Sequence, residues 1–406
     1  MSSLEKTEDE KVGPPLAGGA NQVRVRHHNE RLLLTVLRRQ GALSKAEIAR
    51  RTGLSAQTVT VITRALEKDS LISRGDPVRG RVGQPSIPMS LAPEGAYSIG
   101  LKVGRRSAEL ALMDFTGRIR MQERQTYPYP LPETILAFAR DRIGALLPEG
   151  AERDRLAGLG VATPFELWNW ADRVGAPRGD MDAWRGLDMR AALADATGLP
   201  TFLENDCTAA CSAEVMLGHG RNTGNFAYFF IGFFIGGGLA LDHNVFTGIR
   251  QSAGGMGPIA VGREGSRIVQ LLDHASLAQL EDALQTEGTD PSVLWTSPED
   301  WSAVGPAVER WIAETADHLA VAMISVCCVI DFETVVLDGA FPDAIGGRIV
   351  EATQERLSHH DIAGVRPFRV VQGQVGSAAR VVGAASLPLQ ARYLVDPSVL
   401  FGTGAG

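Results

Sequence analysis

The sequence predicts an α/β protein in which a small winged helix-turn-helix precedes a larger body of two α/β lobes with a cleft between them. Three observations lead there: a capped helical triplet early in the chain, a change to alternating strands and helices from Tyr97, and a charge balance that splits near the same place. Residues 21–90 hold 13 Lys/Arg against 5 Asp/Glu, net +8, whereas residues 91–406 hold 25 against 38, net −13. A basic unit on an acidic body points to a polyanion partner at one end, although a solvated charged face has the same composition.

At 406 residues the chain is too long for one core, so two or three domains are expected. A mean hydropathy of −0.01 reads as a soluble globular chain, expected in the cytoplasm. No uninterrupted apolar run reaches the roughly 18 residues of a membrane span, so no membrane partner is expected. Residues 1–22 are polar and rich in Gly and Pro, and read as a disordered tail without the apolar centre of a signal peptide. Cys207, Cys211, Cys327 and Cys328 have no zinc-site spacing and read as buried thiols.

The winged helix-turn-helix is expected over 23–92. The stretch HHNERLLLTVLRRQ places Leu32, Leu33, Val36 and Leu37 on one helical face, and Gly41 stops it. Ser44 followed three residues later by Glu47 is a capping box opening a second helix, which Gly53 ends. Ser55 caps a third, with Val59, Ile62 and Leu66 inward and Gln57, Thr58, Thr60, Val61 and Arg64 outward. In such a pair the second helix enters the major groove, where Gln pairs with adenine and Thr meets either base edges or a thymine methyl. The segment ISRGDPVRGRVGQPSIPMSL reads as a hairpin wing, with Arg79 and Arg81 at its tip and Ile87, Met89 and Leu91 alternating on the return. The expected contacts to an operator in double-stranded DNA are Ser44, Lys45, Ser55, Gln57, Thr58, Thr60, Arg64, Arg79 and Arg81.

From Tyr97, YSIGLKVG, SAELALMDF and GRIRMQERQTY suit a three-stranded meander, and PETILAFARDRIGALL a helix. RLAGLGVATPF is a strand, and LPTFLENDCTAACSAEVML passes from strand to helix at Asn205 and Asp206. NFAYFFIGFFIGGGLALDHNVFTG gives two strands around glycines, and a long helix from Val308 to Val326 leads into the strand DFETVVLDGAF. Two alternating halves suggest lobes over 93–200 with 380–406, and over 201–379.

The order GLGVATP, LENDCTAACSAE, FIGFFIGGG, SAGGMG and VVLDGAF behind a winged helix resembles the ROK family of transcriptional regulators and sugar kinases. The resemblance implies a two-lobed, actin-like domain of the sugar kinase and Hsp70 type, with a C-terminal helix over Ala379–Tyr393 returning to the first lobe. It also makes Asp206 the counterpart of the catalytic base, Asn205 its hydroxyl-binding neighbour, and IGGG at 235–238 the second phosphate cradle. For Asn205 and Asp206 the plainer reading is a helix cap, and for the glycines strand packing.

Against the family pattern, LKVGRRSAEL has Lys102 where kinases carry a metal-organising Asp, and Arg105 and Arg106 where Gly and Thr form the first cradle. Without that carboxylate, phosphoryl transfer loses much of its charge neutralisation, so Asp206 is read as a vestigial base that grips a ligand. The three cations are expected in a solvated turn, with anion binding as the alternative. The family's sugar-contacting Glu and His are replaced by Gly255 and Pro258, and the following segment lacks the cysteines of the family's zinc site. No metal and no cofactor are therefore expected.

Replacement contacts are assigned to Glu166, Trp168 and Asn169 in FELWNWAD, where an indole can stack on a sugar face, although a Trp pair covering the lobe interface fits equally. With Asn205, Asp206, Gly254, Gly255 and Asp273 they form the expected ligand site. The function expected is a sugar-responsive regulator, a homodimer or homotetramer repressing carbohydrate-utilisation genes, its ligand a sugar or sugar derivative. The alternative is an active ATP-dependent sugar kinase carrying a DNA-binding domain.

Overall fold

The computed structural model describes residues 22–77, 86–147, 153–360 and 363–395. The tail 1–22 therefore lies outside the described residues except for Gln22, which opens the first helix.

The N-terminal unit is a winged helix-turn-helix: α1 (Gln22–Gln40), β1 (Leu43–Ser44), α2 (Lys45–Thr52), α3 (Ala56–Lys68), β2 (Ile72–Arg74) and β3 (Pro88–Leu91). The Ser44–Glu47 capping box opens α2, Gly53 at φ 71° closes it, and the Ser55 hydroxyl accepts from the Thr58 amide at the start of α3. Val59, Ile62, Thr63 and Leu66 are the buried face of α3. On α1 that face is Leu33, Leu34 and Leu37, one step round from the expected set, with Leu32 and Val36 at its margins. Strand β3 pairs with both β1 and β2 and buries Met89 and Leu91, but Ile87 is exposed, beyond the paired residues.

The first lobe has a five-stranded sheet, β4 (Tyr97–Val103), β5 (Ser107–Asp114), β6 (Ile119–Thr126), β7 (Leu156–Thr163) and β8 (Thr201–Asn205), in the order β6-β5-β4-β7-β8. The first three form the expected meander; β7 and β8 add in parallel, Thr163 opposite Asn205. Strand β8 thus belongs to the first lobe's sheet, and the expected boundary at 200 falls before it rather than after. Periodicity places a strand but not the sheet it joins. Helices α4 (Pro132–Leu146) and α5 (Met189–Thr197) cover one face.

Helix α6 (Asp206–Leu217) carries the chain into the second lobe. Its sheet comprises β9 (Phe226–Ile231), β10 (Ile235–Leu241) and β11 (Asn244–Val245), then β14 and β15, in the order β11-β10-β9-β14-β15. A two-stranded ribbon of β12 (Ala260–Glu264) and β13 (Arg267–Gln270) precedes α7 (Leu277–Thr286) and the long α8 (Gly305–Ile330). Strand β14 (Thr334–Gly339), α9 (Asp343–Ser358) and β15 (Arg369–Gln372) complete the lobe. By length and composition the segment Ser302–Ile330 could also cross a membrane, because two or fewer charges in an 18-residue window leave its average apolar. Here Val308, Trp311, Ile312, Leu319 and Met323 of α8 are buried in the second lobe's core. Its C-terminal turn leaves Cys328 exposed, unlike the other three cysteines and contrary to the buried reading.

The closing helix α10 (Ala379–Tyr393) returns to the first lobe and packs on β4 and β7. It also crosses α6, so the two helices form a spine between the sheets. The crossing is tight: a Cβ on Gly383 would lie 1.9 Å from the Ala209 carbonyl oxygen, so only glycine fits.

Candidate functional site

A cavity of about 300 Å³ opens between the lobes where β8 hands over to α6, within the size range of small-molecule sites. Its walls come from six places: Pro164, Phe165 and Trp170 after β7; Asn205, Asp206, Cys207 and Thr208 at the start of α6; Phe233, Phe234 and the glycines of the β9–β10 turn; Gln251, Ser252, Gly255 and Pro258; Arg105 after β4; and Arg380 of α10. A Cβ on Gly236 would lie 2.5 Å from the Cys207 sulfur, so the glycine is what lets α6 approach β10.

Asn205 does cap the helix: its Oδ1 accepts from the amides of Cys207 and Thr208 at 3.0 and 3.2 Å. One Asp206 oxygen accepts from the Cys207 amide at 3.0 Å, and the other from Arg380 Nη1 at 3.4 Å. The cap therefore fixes the pair at the cavity wall while Asp206 faces a cation.

Other expected ligand residues lie elsewhere. Glu166 and Asn169 hydrogen-bond each other at 2.8 Å on the exposed side of the loop, and Trp168 packs beside Arg185. Pro164 and Phe165 take the wall instead, with Trp170 set edge-on against Phe234 at 5.2 Å. In the short helical turn over Leu167–Trp170, Leu167 and Trp168 pack on the first lobe's core and Trp170 comes round to the cavity. Gly254 lines a separate apolar depression with Met256 and Val329. Asp273 is occupied by Arg267 and by the Gln270 amide, at 3.2 and 3.3 Å.

The first-cradle turn is not solvated. Lys102 is buried and donates to Glu109 at 2.9 Å; burial pushes its ammonium down to about 8. Arg105 is 7% exposed and forks onto Glu281 of α7 at 2.6 and 3.2 Å, joining the two lobes. Its guanidinium lies 3.6 Å over the Phe233 ring, and Arg106 reaches the same Glu281 at 3.2 Å. Bidentate geometry and stacking are what guanidinium does better than ammonium. Two residues that sequence reasoning missed, Glu281 and Arg380, thus decide the cleft's electrostatics. Arg380 had a signal: it is the one charge in the small-residue run AARVVGAASLPL.

On the winged helix, Gln57, Val61 and Arg64 are exposed on one face of α3. Thr58 and Thr60 are half-buried, the hydroxyls of Ser55 and Thr58 meet at 2.8 Å, and that of Thr60 donates to the Ala56 carbonyl. The Ser44 hydroxyl donates to Glu47 at 2.7 Å, and Lys45 is half-buried. Arg79 and Arg81 lie outside the described residues. Opposite this face, α1 is rooted in the body: Leu33, Leu34 and Leu37 share one apolar cluster with Phe115, Val215 and Phe226. Buried Arg38 donates to the Phe115 carbonyl at 2.8 Å, and the Val395 amide to the Thr35 hydroxyl at 3.1 Å.

Comparison with known proteins agrees with this architecture. Residues 26–73 match the family model for winged helix-turn-helix DNA-binding, and residues 98–269 that for the ROK family. The xylose repressor of Bacillus subtilis (strain 168) is 24% identical over 249 residues, covering 61% of this chain and 64% of the repressor's own length. A ROK family transcriptional regulator homologous to the E. coli MLC protein superposes with a TM-score of 0.66 at 20% identity, over 91% of this chain and 97% of that one. The ROK family glucokinase of Streptomyces griseus, in complex with glucose and AMPPNP, gives 0.55 at 21%, over 73% and 100%. At these identities the solved structures establish the fold alone. The chain carries a ROK family domain behind an N-terminal winged helix-turn-helix.

Proposed function

We propose that this protein is a sugar-responsive transcriptional repressor, acting in the cytoplasm as a homodimer or homotetramer, whose kinase-like body senses its ligand without phosphorylating it. One observation carries the reading: α6 begins at the cavity with Asp206 and ends against the winged helix. At that far end Val215 shares the cluster of α1, and the Arg221 side chain donates to the Arg39 carbonyl at 3.4 Å. Closing the lobes on a ligand moves α6, and with it the angle at which α3 meets DNA. Winged-helix dimers span half-sites about 34–36 Å apart, so a small tilt is enough to misalign them.

The kinase reading is weaker here. Lys102 stands where a carboxylate would organise the metal, and Arg105 is held on Glu281 where phosphates would enter. The Bacillus relatives are named xylose repressors, which makes xylose the first sugar to test.

The experiment is to recover genomic fragments that the full chain retains, then to measure their affinity by fluorescence anisotropy with a panel of sugars. One sugar should change DNA affinity by about 5–150-fold, the usual range of coupling between sites, with no ATP present. Failure to retain any DNA, or an affinity indifferent to every sugar while ATP and sugar are consumed together, would overturn the reading.

A further inference from the structure

We infer that Arg38 and Arg39, side by side in the last turn of α1, act as a yoke: each holds a different lobe, so a change of angle between the lobes turns the winged helix. The inference rests on the ligand-responsive reading above and names the positioning residues through which the response passes.

Adjacent residues of a helix point about 100° apart around its axis, and here the two side chains reach different sheets. Arg38 donates to the Phe115 carbonyl at 2.8 Å, at the turn between β5 and β6 of the first lobe. Arg39 donates to the His243 carbonyl at 3.2 Å and to Asn244 Oδ1 at 3.4 Å, where β10 turns into β11 of the second lobe. Both turns are stiff. Asp114 Oδ1 closes the first by accepting from the amides of Thr116 and Arg118 at 2.9 and 3.1 Å. In the second, Asp242 and His243 hold left-handed backbone at φ 50° and 61°, and His243 Nδ1 lies 2.8 Å from the Gly220 carbonyl, just beyond α6. A turn fixed in this way moves with its own sheet.

The two arms differ in strength. Arg38 is 6% exposed, and its Nε and Nη2 have no hydrogen-bond partner among the described residues. Burial pushes its guanidinium down to about 10, so it stays charged at neutral pH. Moving it off Phe115 would leave a buried charge without its acceptor, which is costly. Arg39 is half-buried, and its contacts to the second lobe are long, including the 3.4 Å bond that its carbonyl accepts from Arg221. Bonds of that kind exchange with water at small cost. The first lobe is therefore the anchor, and Arg39 follows the second. Leu33, Leu37, Val59 and Ile62 share one apolar cluster, so α3 turns with α1. That cluster supplies the adhesion; the arginines give it direction.

The test has two arms, both on the full chain. In the first, double electron–electron resonance measures distances from a spin label at the exposed end of α3, introduced by Lys68→Cys. One distance runs to Cys328, the exposed thiol of the second lobe, and the other to Gln122→Cys on β6 of the first lobe in a Cys328→Ser background. Arg39→Ala should broaden the distance to the second lobe and leave that to the first unchanged, and Arg39→Lys should restore part of the order. Neither distance changing, or both changing alike as in a merely loosened domain, would overturn the yoke. In the second arm, anisotropy follows a retained DNA fragment with xylose, glucose, mannose and galactose. Arg39→Ala should keep its affinity for DNA and, by calorimetry, for the sugar. The effect of one on the other should fall from about 5–150-fold to below about twofold. Thermal melting checks that the variants fold. An undiminished effect in Arg39→Ala would overturn the yoke and leave the sugar-responsive reading standing. A wild-type chain indifferent to every sugar would overturn that reading, and the spin-label distances would then decide the yoke alone.

Discussion

The two hairpin turns that face the cleft differ in what fills them. Between β9 and β10 the turn keeps its glycines, lies against the start of α6 and lines the cavity. Between β4 and β5 the turn has filled with cations, and Arg105 crosses the cleft to Glu281. One turn leaves room for a ligand; the other uses protein charges to satisfy one another. The contrast teaches that a few side chains decide whether a turn of one cleft stays open or is closed by an ion pair.

Breaking the charged turn should have the largest effect. Glu281→Ala leaves Arg105 buried without its carboxylate and should cost about 3–5 kcal/mol in urea unfolding. The double variant with Arg105→Ala should lose much less than the sum of the two, since the pair acts as a unit.

Next comes a carboxyl beside the glycine-bearing sheet. Asp338 accepts from the Tyr228 hydroxyl at 3.1 Å and from the Gly376 amide at 3.1 Å, and burial pushes it up to about 6. Because the folded protein then binds the proton more tightly than the unfolded chain, its contribution to stability is full below about pH 4 and lost above about pH 6. Unfolding free energy should fall by up to about 3 kcal/mol across that window, and Asp338→Asn should flatten the slope.

The open side of the comparison is probed by Asp206→Ala. It should remove the ligand's effect on DNA, about 1–3 kcal/mol of coupling, and spare DNA binding itself. Release at an unchanged ligand concentration would mean that the grip lies elsewhere. At the far end, Gln57→Ala should relax sequence preference. Arg79→Ala or Arg81→Ala should weaken binding to all sequences and reduce the salt slope by about one each.

The elements could be read from the sequence where local rules decide them: the Ser44–Glu47 box, the meander from Tyr97, the Asn205 cap and the span of α10. What escaped was non-local. Strand β8 would read the same in either lobe, and only pairing with β7 assigns it. A basic turn reads as solvated until Glu281, 176 residues from Arg105, is seen to meet it. FELWNWAD offers candidate sugar contacts, yet a helical turn brings Phe165 and Trp170 to the cavity, packs Trp168 on the first lobe's core and leaves Glu166 and Asn169 exposed. Asn205 and Asp206 could be placed at the strand-to-helix junction because a helix cap names its own residues, and that junction lies on the cavity wall.

The central claim is that the charged first turn leaves no place for magnesium nucleotide, so this cleft recognises and does not transfer. Calorimetric titration of the full chain with Mg²⁺–ATP, followed by a phosphorylation assay over the same sugars, tests it directly. The account predicts no saturable nucleotide binding at millimolar ATP and no phosphorylated sugar; tight Mg²⁺–ATP binding with turnover of a sugar would contradict it.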